Sequence, residues 1–80
     1  MTVKDAVVSR FRAICKDRGI AINELATLSG VTPSTVYSMM DSSRRDLSII
    51  TIKKLCDGLS ISLDSFFSDP VFYNLDQEIK

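Results

Sequence analysis

Histidine is absent from this 80-residue chain, glycine and cysteine are scarce at three and two residues, and the charges cancel at ten Lys or Arg against ten Asp or Glu. With no histidine, and with cysteines and acids at spacings that match no metal site, a metal centre has no ligand set to build on. The glycines form no phosphate loop. An enzyme is therefore the least favoured class, and neither a cofactor nor a small-molecule site is expected. Cys15 and Cys56 each fall inside a helical apolar pattern; two cysteines in ordinary composition make no disulfide framework and are expected as reduced core thiols. No apolar run approaches the ~20 residues of a membrane span, and the start, Met1-Thr2-Val3-Lys4-Asp5, lacks the layout of a secretory signal. A soluble, cytoplasmic chain is expected. Its 45% apolar and 25% charged residues suffice for one small domain.

Zero net charge at first opposes nucleic-acid binding, because such proteins usually carry the basic excess that displaces counterions from phosphate. The distribution reverses that objection. Residues 1–54 hold nine Lys or Arg against five Asp or Glu, a balance of +4, whereas residues 55–80 hold one against five, a balance of −4. If the two segments lie on different sides, the basic one can face an anionic polymer.

What is present is punctuation for short helices. Thr2 and Asp5 can cap a first helix, along which Val7, Phe11, Ile14, Cys15 and Arg18 recur at helical spacing until Gly19 ends it. Leu25, Ala26 and Leu28 form the inward side of a second helix, stopped by Ser29-Gly30. Thr32 caps a third and Pro33 fits its first turn, where a missing amide hydrogen costs nothing. Val36 and Met39 point inward, leaving Ser34, Thr35, Tyr37, Ser38 and Asp41 as a hydroxyl-rich face around one aromatic. Two short helices joined by a tight glycine turn are the usual device for presenting one of them to the DNA major groove. Ser42 to Leu47 reads as a polar loop carrying Arg44-Arg45. Ser48 caps a fourth helix with Ile49, Ile52, Leu55, Cys56 and Leu59 as its apolar stripe, and Ser62 caps a fifth with Leu63, Phe66 and Phe67 inward. Asp69-Pro70 repeats the capping pattern, and Val71, Leu75 and Ile79 at every fourth residue predict a short sixth helix. No alternating apolar run or hairpin dipeptide competes.

Over residues 5–68 the chain resembles the Cro and phage-repressor (Cro/C1-type, XRE) family of helix-turn-helix regulators. Gly19-Ile20 through Glu24-Leu25-Ala26 is similar to the family's Gly-Leu-Ser-Gln-Glu-Glu-Leu-Ala run. Gly30-Val31-Thr32-Pro33-Ser34-Thr35-Val36 is similar to its Gly-Val-Ser-x-Ser-Thr-Ile turn, and Leu59 to Phe67 to its closing Leu-Gly-Val-Ser-Leu-Asp-Glu-Leu-Phe segment. The resemblance implies an all-α, five-helix lambda-repressor-like domain over residues 1–68, with a short carboxyl-terminal extra helix or tail over 69–80. Three departures matter. Ile22 replaces the Gln that touches phosphate in many members. Cys15 and Met40 replace an Arg and a Glu paired across the domain, so those two side chains are expected to meet; swapping such a pair for apolar groups is often neutral. Ser60 replaces a capping glycine and Gly58 an alanine, so the fourth helix is expected to end early.

The resemblance implies double-stranded DNA as partner, with the recognition helix from about Pro33 to Asp41 in the major groove. Its candidate contact residues are Asn23, Thr32, Ser34, Thr35, Tyr37 and Ser38, with Ser43, Arg44 and Arg45 alongside the backbone. Pro33 carries no donor, and the helix has no Arg, Asn or Gln to make a bidentate base contact worth ~1–3 kcal/mol of discrimination. Specificity then rests on hydroxyls or on DNA shape, and the arginines position the protein without reading sequence. The leading reading is a sequence-specific, repressor-like transcriptional regulator acting as a homodimer, with Phe72, Tyr73, Leu75 and Ile79 as candidate interface residues. The alternative is a protein-binding module of the same fold, antitoxin-like or anti-repressor, with weak DNA affinity.

Overall fold

The computed structural model describes residues 1–79, and among them every regular element is helical. In order these are α1 (Val3–Arg18), α2 (Ile22–Leu28), α3 (Pro33–Met40), α4 (Ile49–Gly58) and α5 (Leu63–Phe67), followed by a single 3₁₀ turn, Pro70–Phe72. The caps expected from sequence form. Thr2 and Asp5 make a reciprocal capping box on α1, and the hydroxyls of Thr32, Ser48 and Ser62 accept the amides of Thr35, Thr51 and Ser65. At α2 only half of that device exists: Glu24 accepts the Ala21 amide, but the Ala21 side chain offers nothing in return.

Three helices end in the same way. After α1, α2 and α4 the chain enters the left-handed region at Gly19 (φ 67°), Gly30 (φ 69°) and Ser60 (φ 58°). In each case the following amide, of Ile20, Val31 or Ile61, returns to a carbonyl in the helix's last turn at 3.0–3.1 Å. The next apolar side chain is thereby turned onto the core, where Ile20, Val31 and Ile61 all pack. Ser60 does the work of a glycine while carrying a Cβ.

Fourteen buried apolar residues form one core, among them Val7, Phe11, Leu25, Val36, Leu55 and Phe66. α2 packs on both α3 and α4, so the helix-turn-helix pair is seated on the rest of the domain as a unit. Cys15 and Met40 are both buried in this core, at 3% and 8% exposure, as two apolar members of one cluster.

Three expectations need correction. Leu28 is 58% exposed and Ile49 is 55% exposed, because α2 buries only Leu25 and Ala26 and α4 turns Ile52, Leu55 and Cys56 inward instead. The sixth helix is one 3₁₀ turn, which Asp69 caps through the Val71 amide at 2.9 Å. An isolated helix of this length is marginal unless a packed apolar face supports it. The tail packs through Phe72 instead, whose ring lies 4.9 Å from Phe67 and 5.7 Å from Phe66, while Ile79 is 87% exposed. Of the residues offered for dimerisation, Phe72 and Leu75 are half-buried and Tyr73 and Ile79 are exposed.

Candidate nucleic-acid interface

α3 separates its two faces cleanly. Val36, Met39 and Met40 are buried, Ser34, Thr35 and Tyr37 are exposed, and Ser38 is half-buried at the boundary. Tyr37 is 53% exposed, with its ring free of any packed aromatic among the described residues. The hydroxyls at the start of the helix are linked to one another: Thr32 Oγ1 lies 3.0 Å from Ser34 Oγ and 2.9 Å from Thr35 Oγ1. Thr32 also accepts the Thr35 amide at 3.3 Å. A chain of hydroxyls can turn its protons either way, so it offers a donor or an acceptor to whatever it meets. Asn23, at the start of α2, is exposed beside Glu24, Thr27 and Leu28. Ile22 packs on the core edge and presents no polar group.

Past Met40 the chain turns through Asp41, whose Oδ1 accepts both the amide and the hydroxyl of Ser43, at 2.9 and 2.8 Å. Those two bonds, the amide's first, hold the Asp41 carboxyl below its ordinary pKa, with smaller help from Arg44 and Lys4. Ser43 has therefore spent its proton inside the loop and keeps only acceptor capacity, which a phosphate does not reward. Arg44 and Arg45 are exposed, and among the described residues neither forms an ion pair.

Lys4 is what holds this loop, a role unseen in the sequence. Its side chain is 6% exposed, and its ammonium donates to the carbonyls of Asp41 at 2.9 Å and Arg44 at 2.5 Å. Two further cations of α1 act alike. Arg10 donates to the carbonyls of Phe66 (2.9 Å) and Ser65 (3.2 Å) and pairs with Asp69 at 3.5 Å, and Arg18 donates to the Leu59 carbonyl at 2.5 Å. Apart from the Arg44 carbonyl, which belongs to the loop, these carbonyls lie at the carboxyl end of α3, α5 or α4, where unpaired acceptors and the helix dipole favour a cation. Three of the nine basic residues in the positive segment are thus internal caps, and Lys53 pairs with Asp57 on α4. Four of those nine cations are engaged within the fold, and the cations that follow α3 directly are Arg44 and Arg45, with Arg12 lining a hollow beside Met40 and Ser42. No signal marked Lys4: it sits inside a capping sequence, and its partners are backbone carbonyls 37 and 40 residues away.

A Helix-turn-helix family model matches residues 11–66, which span α1 from Phe11 through α5 at Phe66. The chain belongs to the Cro/C1-type helix-turn-helix family. That family is one of DNA-binding regulators, and its helix pair here is α2 and α3. The crystal structure of the prophage Lp1 protein 11 is similar to this family member, with a TM-score of 0.81 and 31% sequence identity over 94% of this chain and 99% of that one. No curated protein matches it. No helix among the described residues is long and apolar enough to cross a membrane.

Proposed function

We propose that this helix-turn-helix protein is a sequence-specific, repressor-like DNA-binding regulator that inserts α3 into the major groove. The observation that carries the reading is the division of α3, with Ser34, Thr35 and Tyr37 outward over a fully buried Val36, and the Arg44-Arg45 loop, free of ion pairs among the described residues, following shortly after. Tyr37 and the linked hydroxyls of Thr32, Ser34 and Thr35 contact base edges, and Arg44 and Arg45 clamp phosphate. Because the hydroxyls serve as donor or acceptor, direct readout is degenerate and DNA shape supplies part of the preference. The protein acts as a homodimer, since one such helix covers a few base pairs and a two-fold mate reads a second half-site about 34 Å away. Exposed Tyr73 and Ile79 are available for that contact.

Selection from random duplexes followed by gel shifts tests this reading. Wild type is expected to enrich a two-fold site, and Arg44→Ala is expected to weaken binding to all duplexes alike while flattening the salt dependence by about one counterion. Binding that is absent at low salt, or equal for the two proteins, defeats it.

A second reading, a protein-binding module of antitoxin or anti-repressor type, is favoured by Ile22, which removes a phosphate contact, and by a balance of ten cations against ten anions. A flat salt response with random DNA, together with a tight complex with a protein partner, is its signature.

A further inference from the structure

We propose that the carboxyl-terminal tail is an electrostatic gate on the Arg44-Arg45 loop, in which Glu78 occupies the place of a DNA phosphate. This deepens the DNA-binding reading and rests on it. Past the 3₁₀ turn the chain could leave the domain, but it runs back along the start of α1. Phe72 fixes its root against Phe66 and Phe67. Further on, the Asp76 amide donates to the Met1 carbonyl at 3.0 Å, and the Met1 amino group meets the Asp76 carboxylate at 3.3 Å. Two anchors thus set the path of the segment between and just beyond them. That path brings Glu78 to a concavity of about 200 Å³ whose other walls are Thr2, Lys4, Asp5, Ser42, Arg44 and Arg45.

The charges of that concavity explain the consequence. The Lys4 ammonium is consumed by two backbone carbonyls, so the cations free to meet an anion are the two arginines assigned to phosphate. The Glu78 carboxylate lines the same concavity as Asp5 without closing an ion pair on either arginine, and acts on them as a local counterion. It lowers their attraction for DNA at low ionic strength and loses force as salt screens it over a Debye length of about 8 Å at 0.15 M. The gate is weak by construction, because Glu78 is exposed and its anchor at Met1 and Asp76 is a solvent-facing pair. DNA can displace it, which makes it a brake on non-specific binding rather than a lock.

The test compares Glu78→Gln with wild type on random duplex DNA across a salt series, with Asp17→Asn, a carboxylate on α1 that lines a different surface hollow, as the control for net charge. Glu78→Gln is expected to bind about two- to fivefold more tightly at 50 mM salt, the range of one exposed ion pair. Its slope of log affinity against log salt is expected to steepen by up to about 0.9. Wild type that binds while Glu78→Gln binds no better, or an equal gain from Asp17→Asn, overturns the gate alone. A nitroxide on Glu78→Cys reads the tail position without DNA, since the native thiols Cys15 and Cys56 are buried. Broadening of the Arg44 and Arg45 amides is expected, and its absence overturns the proposal. If the amides broaden but neither protein binds duplex, the DNA-binding reading has failed and the gate falls with it.

Discussion

Gly58, the last residue of α4, sits so close to Ser29 at the end of α2 that a Cβ on it would overlap the serine hydroxyl and lie 3.0 Å from Ser29 Cα and N. This contact seats the turn of the helix-turn-helix on the domain. It also buries Ser29 Oγ without a hydrogen-bond partner. Gly58→Ala would ordinarily stabilise a helix by about 1 kcal/mol. Here the backbone of Ser29 must move, and a net loss of about 1–3 kcal/mol is expected from chemical denaturation. Ser29→Ala removes an unsatisfied buried hydroxyl and is expected to be neutral or stabilising by about 1 kcal/mol. In the double variant it recovers part of the Gly58→Ala loss, and strict additivity would show that the two residues do not share this contact.

Residue patterns at the helix ends carried most of the fold into view. Thr2, Thr32, Ser48 and Ser62 announce starts because each needs a side-chain oxygen for an orphan amide, and Gly19 and Gly30 announce stops because only a left-handed residue completes the turn. Val71, Leu75 and Ile79 misled for the complementary reason: their spacing is helical, but none of them joins the core, Ile79 is 87% exposed, and Phe72 packs on the core instead. The hydroxyl face of α3 was legible from Val36 and Met39 alone. The fate of the basic residues was not, because Lys4, Arg10 and Arg18 bond to carbonyls far along the chain that carry no sequence mark.

Ser60 pays for its left-handed backbone with a Cβ that glycine lacks. Ser60→Gly is expected to raise stability by about 0.5–1 kcal/mol, the strain relieved exceeding the added freedom of the unfolded chain. Urea unfolding checks this, and a loss of stability would mean that the Ser60 side chain makes a contact worth more than the strain.

The Asp41 carboxyl is held below its ordinary pKa by the Ser43 amide and hydroxyl. A carboxyl with a depressed folded pKa contributes stability that is complete above its unfolded pKa, about 3.9, and is lost as pH falls through the folded value. Acid should accordingly loosen the Asp41–Ser43 turn first. In an NMR titration the Ser43 amide is expected to shift with the Asp41 carboxyl, at a midpoint under the usual aspartate value. Asp41→Asn should abolish the shift, and an unchanged Ser43 response in that variant would remove the assigned cause.

Lys4 decides whether the Arg44-Arg45 loop is presented or merely tethered. Its ammonium joins Asp41 O and Arg44 O, and hydrogen bonds from a charged donor contribute about 1.5–3 kcal/mol. Lys4→Met keeps the buried stem and deletes both bonds, leaving the end of α3 without its cation. A stability loss of about 1–3 kcal/mol is expected, together with faster amide exchange confined to residues 41–46. Arg18→Met, which uncaps α4 at the Leu59 carbonyl, should lower stability without that local signature. If Lys4→Met weakens DNA binding while Arg18→Met at equal stability does not, the loss belongs to the loop's geometry. Equal losses in the two would reduce Lys4 to one structural contact among several.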